Sequence, residues 1–419
     1  MRRVSAGNLG SWRMPLVLSV LDQGLVSGAH FGLNVVLARW TSPAEYGVFA
    51  VTFGIFLLLS GLHVALILEP MNVFGAARPP AELGRYVGSL VLAHIALTVP
   101  LALVLAAAAL GVRGRSGALA GSIAALAAAL PLLLLQWLLR QACYVQTRPD
   151  LALRGSLVYV STLAGVFALE VLGPVAVSPL QAAFPALGMA SLAAAAVLWR
   201  PLGVPFGPWS APPRDVVASH WAYGRWILAA SIAHNAGNAL YLPLVATLLG
   251  LASSGILKAV QNLALPLQQV LAALNLLALP GVSRQRAVAG ATHARRAVLA
   301  LVLAYVAVAA LYGAVLAGFG GRLLRLLYGG GPYAGYGWGA LLVAVAGVLS
   351  AAAQALGVGL RAKGRPPAIL WSKLAAASFL LAVGTVLVAR RGLYGALWGI
   401  VLGSACEAVV LALFMWKKG

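Results

Sequence analysis

The chain has 419 residues, of which 62% are hydrophobic and only 9% charged, against about 25% charged in an average soluble domain. That composition lacks the polar surface a water-soluble globule of this size needs. The formal net charge of +21 sits in short loops between apolar runs, with no basic stripe interleaved with exposed aromatics, which excludes a nucleic-acid partner.

The basic N-terminus, Met1 to Met14, leads into an apolar run that reaches about Ala38. This is too long for a secretory h-region and lacks a small-residue cleavage site, so it reads as a retained first transmembrane helix. Crossing a hydrocarbon layer takes about 20 residues. Stretches of that length lie at 15–38, 46–68, 86–111, 117–140, 155–176 and 179–199. A second set lies at 224–249, 253–280, 297–319, 337–360, 367–389 and 393–415, and Pro266 is expected to kink the eighth helix. Pro201 to His220 is rich in proline and tryptophan and reads as a linker. The predicted organisation is an all-α integral membrane protein: a six-helix bundle over 1–200, a cytoplasmic linker over 201–222, and a second six-helix bundle over 223–419. Most of the 29 Lys and Arg fall on one side of this arrangement, among them Arg148, Arg284, Arg286 and Lys373, which places both termini in the cytoplasm.

An internal repeat supports two parallel halves. A shift of 208 residues carries Gln23, Ser27 and His30 onto Ser231, Asn235 and Asn238, and Tyr46-Gly47-Val48-Phe49 onto Ser254-Gly255-Ile256-Leu257. A second echo pairs Arg148-Pro149 with Arg365-Pro366. Parallel tandem halves are a common transporter plan.

Polar side chains inside the apolar spans are the main functional signal. Gln23, Ser27, His30 and Asn34 share one face of the first helix, with Asp22 at its edge. The seventh helix carries Ser231, His234, Asn235, Asn238 and Tyr241; the eighth carries Ser254, Lys258, Gln261, Asn262 and Gln269; the second adds Thr52 and His63. Hydrogen-bonding glue between helices explains any one of these. Stripes on several helices together point to a hydrated cavity between the halves. Lys258 reads either as a snorkelling cation or as an anion contact. Asp22 reads as a charge partner for a base, a cation site or a structural acceptor. Glu170 and Glu407 have no matching stripe and read as packing or rim residues. His30, His63, His94 and His234 fall within predicted helices, where a proton relay is conceivable and satisfied lone histidines are commoner. Cys143 and Cys406 suggest neither a disulfide nor a metal site. Nothing resembles a nucleotide-binding loop, Gly329-Gly330-Gly331 reads as a turn, and no cofactor is expected.

Several segments carry a family resemblance. Asp22-Gln23-Gly24-Leu25 through Leu37-Ala38-Arg39, with Ser42-Pro43-Ala44-Glu45-Tyr46-Gly47-Val48-Phe49, resembles the opening of bacterial polysaccharide flippases. These belong to the multidrug/oligosaccharidyl-lipid/polysaccharide exporter superfamily. Leu139-Arg140-Gln141-Ala142-Cys143-Tyr144 with Arg148-Pro149, and Lys258-Ala259-Val260-Gln261-Asn262-Leu263 running to Leu279-Pro280-Gly281-Val282-Ser283-Arg284, are similar to its lipopolysaccharide or O-antigen branch. The resemblance implies two six-helix bundles in a V around a central cavity lined by helices one, two, seven and eight. It implies a flippase that moves a polyprenyl-pyrophosphate-linked oligosaccharide from the cytoplasmic to the outer leaflet of a bacterial inner membrane. It makes Lys258, Arg225 and Arg140 the pyrophosphate candidates, and the lipid bilayer, a lipid-linked glycan and envelope assembly proteins such as a polysaccharide polymerase the partners. The rivals are a multidrug or small-molecule cation antiporter of the same fold and a non-transporting scaffold for envelope assembly enzymes. None of these readings makes the chain an enzyme.

Overall fold

The structure, a computed structural model, describes residues 10–41, 43–173, 177–205, 214–328 and 336–416, for some helical residues by their backbone alone. Among the described residues helix and turn are the only regular structure, and the chain divides into two compact units, Met1–Ala222 and Tyr223–Gly419.

The first unit contains α1 (Gly10–Trp40), α2 (Pro43–His63), α3 (Pro80–Val112), α4 (Gly117–Val145), α5 (Pro149–Leu172) and α6 (Pro179–Trp199). Proline opens α3, α5 and α6, where its missing N–H costs nothing and its fixed φ suits a first helical turn. Ser116 caps α4 by accepting from the Leu119 N–H at 3.2 Å. After His63 the helix widens into two π-helical turns, Val64–Leu68 and Met71–Gly75, on either side of Glu69-Pro70. α4 packs against α2, α3, α5 and α6. Its buried Leu126, Leu130 and Leu134 meet Phe49, Phe56 and Phe184 in the apolar core. Small residues let the backbones close up: a Cβ on Gly188 would sit 3.2 Å from the Ala129 Cβ.

α7 (Arg214–Leu249) begins within the first unit and ends in the second. Residues 214–222, expected within the linker, therefore form its opening turns; their mixed polar composition hid them from a search for apolar runs. Residues 206–213 of the expected linker lie outside the described residues.

The second unit continues with α8 (Leu251–Asn262), α9 (Leu265–Tyr328), α10 (Gly337–Ala362) and α11 (Pro366–Trp416). The break expected from Pro266 falls at Leu263-Ala264. A proline excludes the carbonyl four residues back, here that of Asn262, where α8 ends. α9 turns at Gly290 (φ 82°) and α11 at Gly392 (φ 58°), left-handed conformations that glycine adopts without penalty. Each of these long helices is thus two passes. Nine helical stretches among the described residues are long and apolar enough to cross a membrane. With α9 and α11 each folded into two arms and α7 added, the described residues give about twelve passes, and the chain is a multi-pass membrane protein.

Candidate functional site

Within the first unit the polar stripe of α1 is used internally. Asp22 is fully buried, and Arg140 of α4 holds it through Nε at 3.2 and 3.0 Å and Nη2 at 2.6 Å. The Tyr144 hydroxyl and the Ser156 hydroxyl of α5 also donate to this carboxylate. Arg140 Nη2 further donates to Gln23 Oε1 at 3.1 Å, and Gln23 Nε2 donates to Ser27 Oγ at 3.1 Å. The network joins α1, α4 and α5. Asp22 is thus both the charge partner of Arg140 and a structural acceptor for the Tyr144 and Ser156 hydroxyls. The guanidinium offered as a pyrophosphate contact is committed to an internal carboxylate.

Farther along α1, His30 Nε2 lies 2.9 Å from the Tyr159 hydroxyl, with the imidazole edge-on to Phe53. Asn34 donates to the His30 carbonyl at 2.8 Å, and Thr52 donates to that of Val48 at 2.9 Å, both one turn back in the same helix. His63 Nε2 meets His94 Nδ1 at 3.1 Å, and both rings are buried.

In the second unit the side chains of His234, Asn235 and Asn238 lie outside the described residues. Lys258 and Gln261 of α8 line a pocket of about 420 Å³, within the size range of small-ligand sites, together with Tyr241, Lys373, Ser404 and Glu407. Asn262 is not part of this lining. Arg225 is exposed, and its guanidinium lies over the Trp226 ring, 5.3 Å from the centroid.

The pocket is shaped by close backbone approaches. A Cβ on Gly237 of α7 would lie 2.9 Å from the Ala377 Cβ of α11, and one on Gly399 would lie 2.5 Å from the Tyr241 hydroxyl. That hydroxyl donates to the Ala396 carbonyl at 2.9 Å, which fixes the tyrosine against α11. Lys373 Nζ is 2.7 Å from Glu407 Oε1, a pair joining the two arms of α11. Lys258 is exposed and makes no ion pair among the described residues. The charged lining therefore has one cation in excess.

Lys373 and Glu407 were not among the sequence-derived site residues. In the sequence Glu407 reads as a packing or rim residue and Lys373 as a loop charge. Both lie inside apolar runs, and opposite charges in consecutive apolar segments were the available signal, since a membrane-embedded charge needs a partner or a function.

Comparison with solved structures identifies the fold. The Vibrio cholerae MATE transporter VcmN, solved as a variant, superposes with a TM-score of 0.83 at 13% identity, covering 96% of this chain and 95% of that one. A MATE transporter in its straight conformation gives 0.81 at 11% identity, covering 96% and 93%. A MOP superfamily transporter from Pyrococcus furiosus gives 0.77 at 12% identity, covering 96% and 93%; it is reported with a binding pocket of reverse polarity that suggests a different function. The sequence matches no family model, and no curated protein matches it. The chain has the fold of MATE transporters of the MOP superfamily, a membrane-transporter fold.

Proposed function

We propose that this chain is a secondary transporter that carries a small solute across the membrane by alternating access, as an antiporter. The single observation that supports it is the likeness of nearly the whole chain, 96% of its length, to solved MATE transporters. The pocket lined by Lys258, Gln261, Lys373 and Glu407 is the natural candidate for part of the solute path, because polar and ionic groups are expensive in hydrocarbon unless used. No catalytic step belongs to this reading, and its setting is a bacterial inner membrane.

A second reading, flipping of a lipid-linked glycan, has its own support. Lys258 supplies a cation free of an internal ion pair among the described residues, suited to a pyrophosphate, and the sequence resemblance at Lys258–Arg284 points the same way. Reconstitution of the purified chain in vesicles with an imposed proton or sodium gradient separates the two. Gradient-dependent movement of small organic solutes supports antiport. Movement of a lipid-linked oligosaccharide alone would replace that reading with the flippase, and movement of neither would remove both.

A further inference from the structure

We infer that the pocket of the second unit binds an anionic group, a carboxylate or a phosphate, and that Glu407 occupies the site at rest as a built-in stand-in for it. The inference names the solute class for the proposed transporter and rests on that reading for its use, though not for the binding itself.

Charge comes first. The lining is otherwise composed of Gly, Ala, Leu and Ile with Tyr241, Gln261 and Ser404, so its charges have few neutral partners to share. Lys373 is satisfied by Glu407 at 2.7 Å, whereas Lys258 has no ion pair among the described residues. A cation entering the pocket meets a positive excess. An anion removes it, so the pocket favours a ligand of negative charge.

Geometry agrees with charge. Gln261 follows Lys258 by three residues on α8, so its amide lies on the same face and offers N–H donors beside the ammonium. Ser404 precedes Glu407 by three residues on α11 and places a hydroxyl beside the carboxylate. The Lys373–Glu407 contact itself shows that a carboxylate fits against this wall. Because Glu407 and a bound anion compete for Lys373, the pocket holds its own displaceable competitor. The volume of about 420 Å³ exceeds what one phosphate fills, and Leu242, Leu380 and Ile400 can receive an apolar remainder of the solute.

The test is binding of defined probes to the purified full-length protein in nanodiscs of phosphatidylcholine. Inorganic pyrophosphate is the soluble probe, phosphatidic acid mixed into the bilayer is the lipid probe, and tetraethylammonium is the cationic control. Saturable binding of at least one anionic probe is expected, and which one binds tells a free anion from a lipid headgroup. Lys258→Gln should weaken it about tenfold, ~1.4 kcal/mol, and Lys258→Arg should restore it. Glu407→Gln should tighten it by a similar factor, the opposite of what loss of a purely structural ion pair would do. Each variant is first checked for a monodisperse profile; if Lys258→Gln fails that check, Glu407→Gln decides alone. Binding of neither anion, anion binding indifferent to both positions, or preferred binding of tetraethylammonium would overturn the inference. Anion binding without gradient-driven solute movement would keep the site and remove the transporter reading; solute movement without anion binding would do the reverse.

Discussion

Consider removal of the guanidinium that faces Asp22. In Arg140→Leu the carboxylate keeps the Tyr144 and Ser156 hydroxyls but loses three contacts between 2.6 and 3.2 Å and its only counter-charge in that network. Side-chain exposure of Asp22 is 0% and of Arg140 is 13%, so this is not a surface pair worth a few tenths of a kcal/mol. Breaking one partner of a buried pair costs about 3–5 kcal/mol, because the other charge stays buried and uncompensated. Asp22→Asn should fall toward the lower end of that range, since the one amide oxygen still accepts from one of the two hydroxyls and Arg140 retains Gln23 Oε1 at 3.1 Å. The double variant Asp22→Asn/Arg140→Leu should cost less than the sum of the two, by roughly 0.5–3 kcal/mol, the span of coupling energies for residues in contact. Equilibrium unfolding in mixed micelles, followed by the fluorescence of the 11 tryptophans, measures all three. Strictly additive losses, or an Arg140→Leu protein within about 1 kcal/mol of wild type, would refute the view that this network holds α1 to α4 and α5.

Other outcomes are expected. Gly399→Val should destabilise by about 1–3 kcal/mol through overpacking, because its Cβ would lie 2.5 Å from the Tyr241 hydroxyl and 3.0 Å from the Gly384 Cα; a thermal midpoint equal to wild type contradicts this. His30→Leu leaves the Tyr159 hydroxyl without its partner at 2.9 Å, a loss of about 1–3 kcal/mol that the same unfolding assay reads. In inverted and right-side-out vesicles, thiols introduced as Arg148→Cys and Arg286→Cys should react with an impermeant maleimide only from the cytoplasmic face. Labelling of either from outside would reverse the orientation drawn from the loop charges.

The passes were legible because a membrane helix advertises itself by length and hydropathy. Even the turns at Gly290 and Gly392 fall in gaps that the apolar runs left open. The break before Pro266 was legible too, and its position follows from which carbonyl a proline displaces. Pairings across helices were not. Asp22 and Arg140 are 118 residues apart, and no periodicity along one helix says which partner another helix brings. Gln23, Ser27 and His30 read as one polar stripe, and no spacing along α1 shows that Arg140 and Tyr159 are the partners its ends meet. Lys373, seven residues past Pro366, looked like part of a basic turn; only the fold of α11 back along itself reveals Glu407 beside it. The opening of α7 at Arg214 was hidden for a different reason, since amphipathic turns carry no long apolar run.

The measurement that bears most directly on the transporter reading is solute flux in proteoliposomes containing only this chain. With a proton or sodium gradient imposed, a solute should accumulate against its own gradient, and the accumulation should collapse when the driving gradient is dissipated. Lys258→Gln should reduce it and Lys258→Arg should preserve it. Flux of small organic anions and cations indistinguishable from protein-free vesicles would contradict the reading, whether or not a lipid-linked oligosaccharide moves.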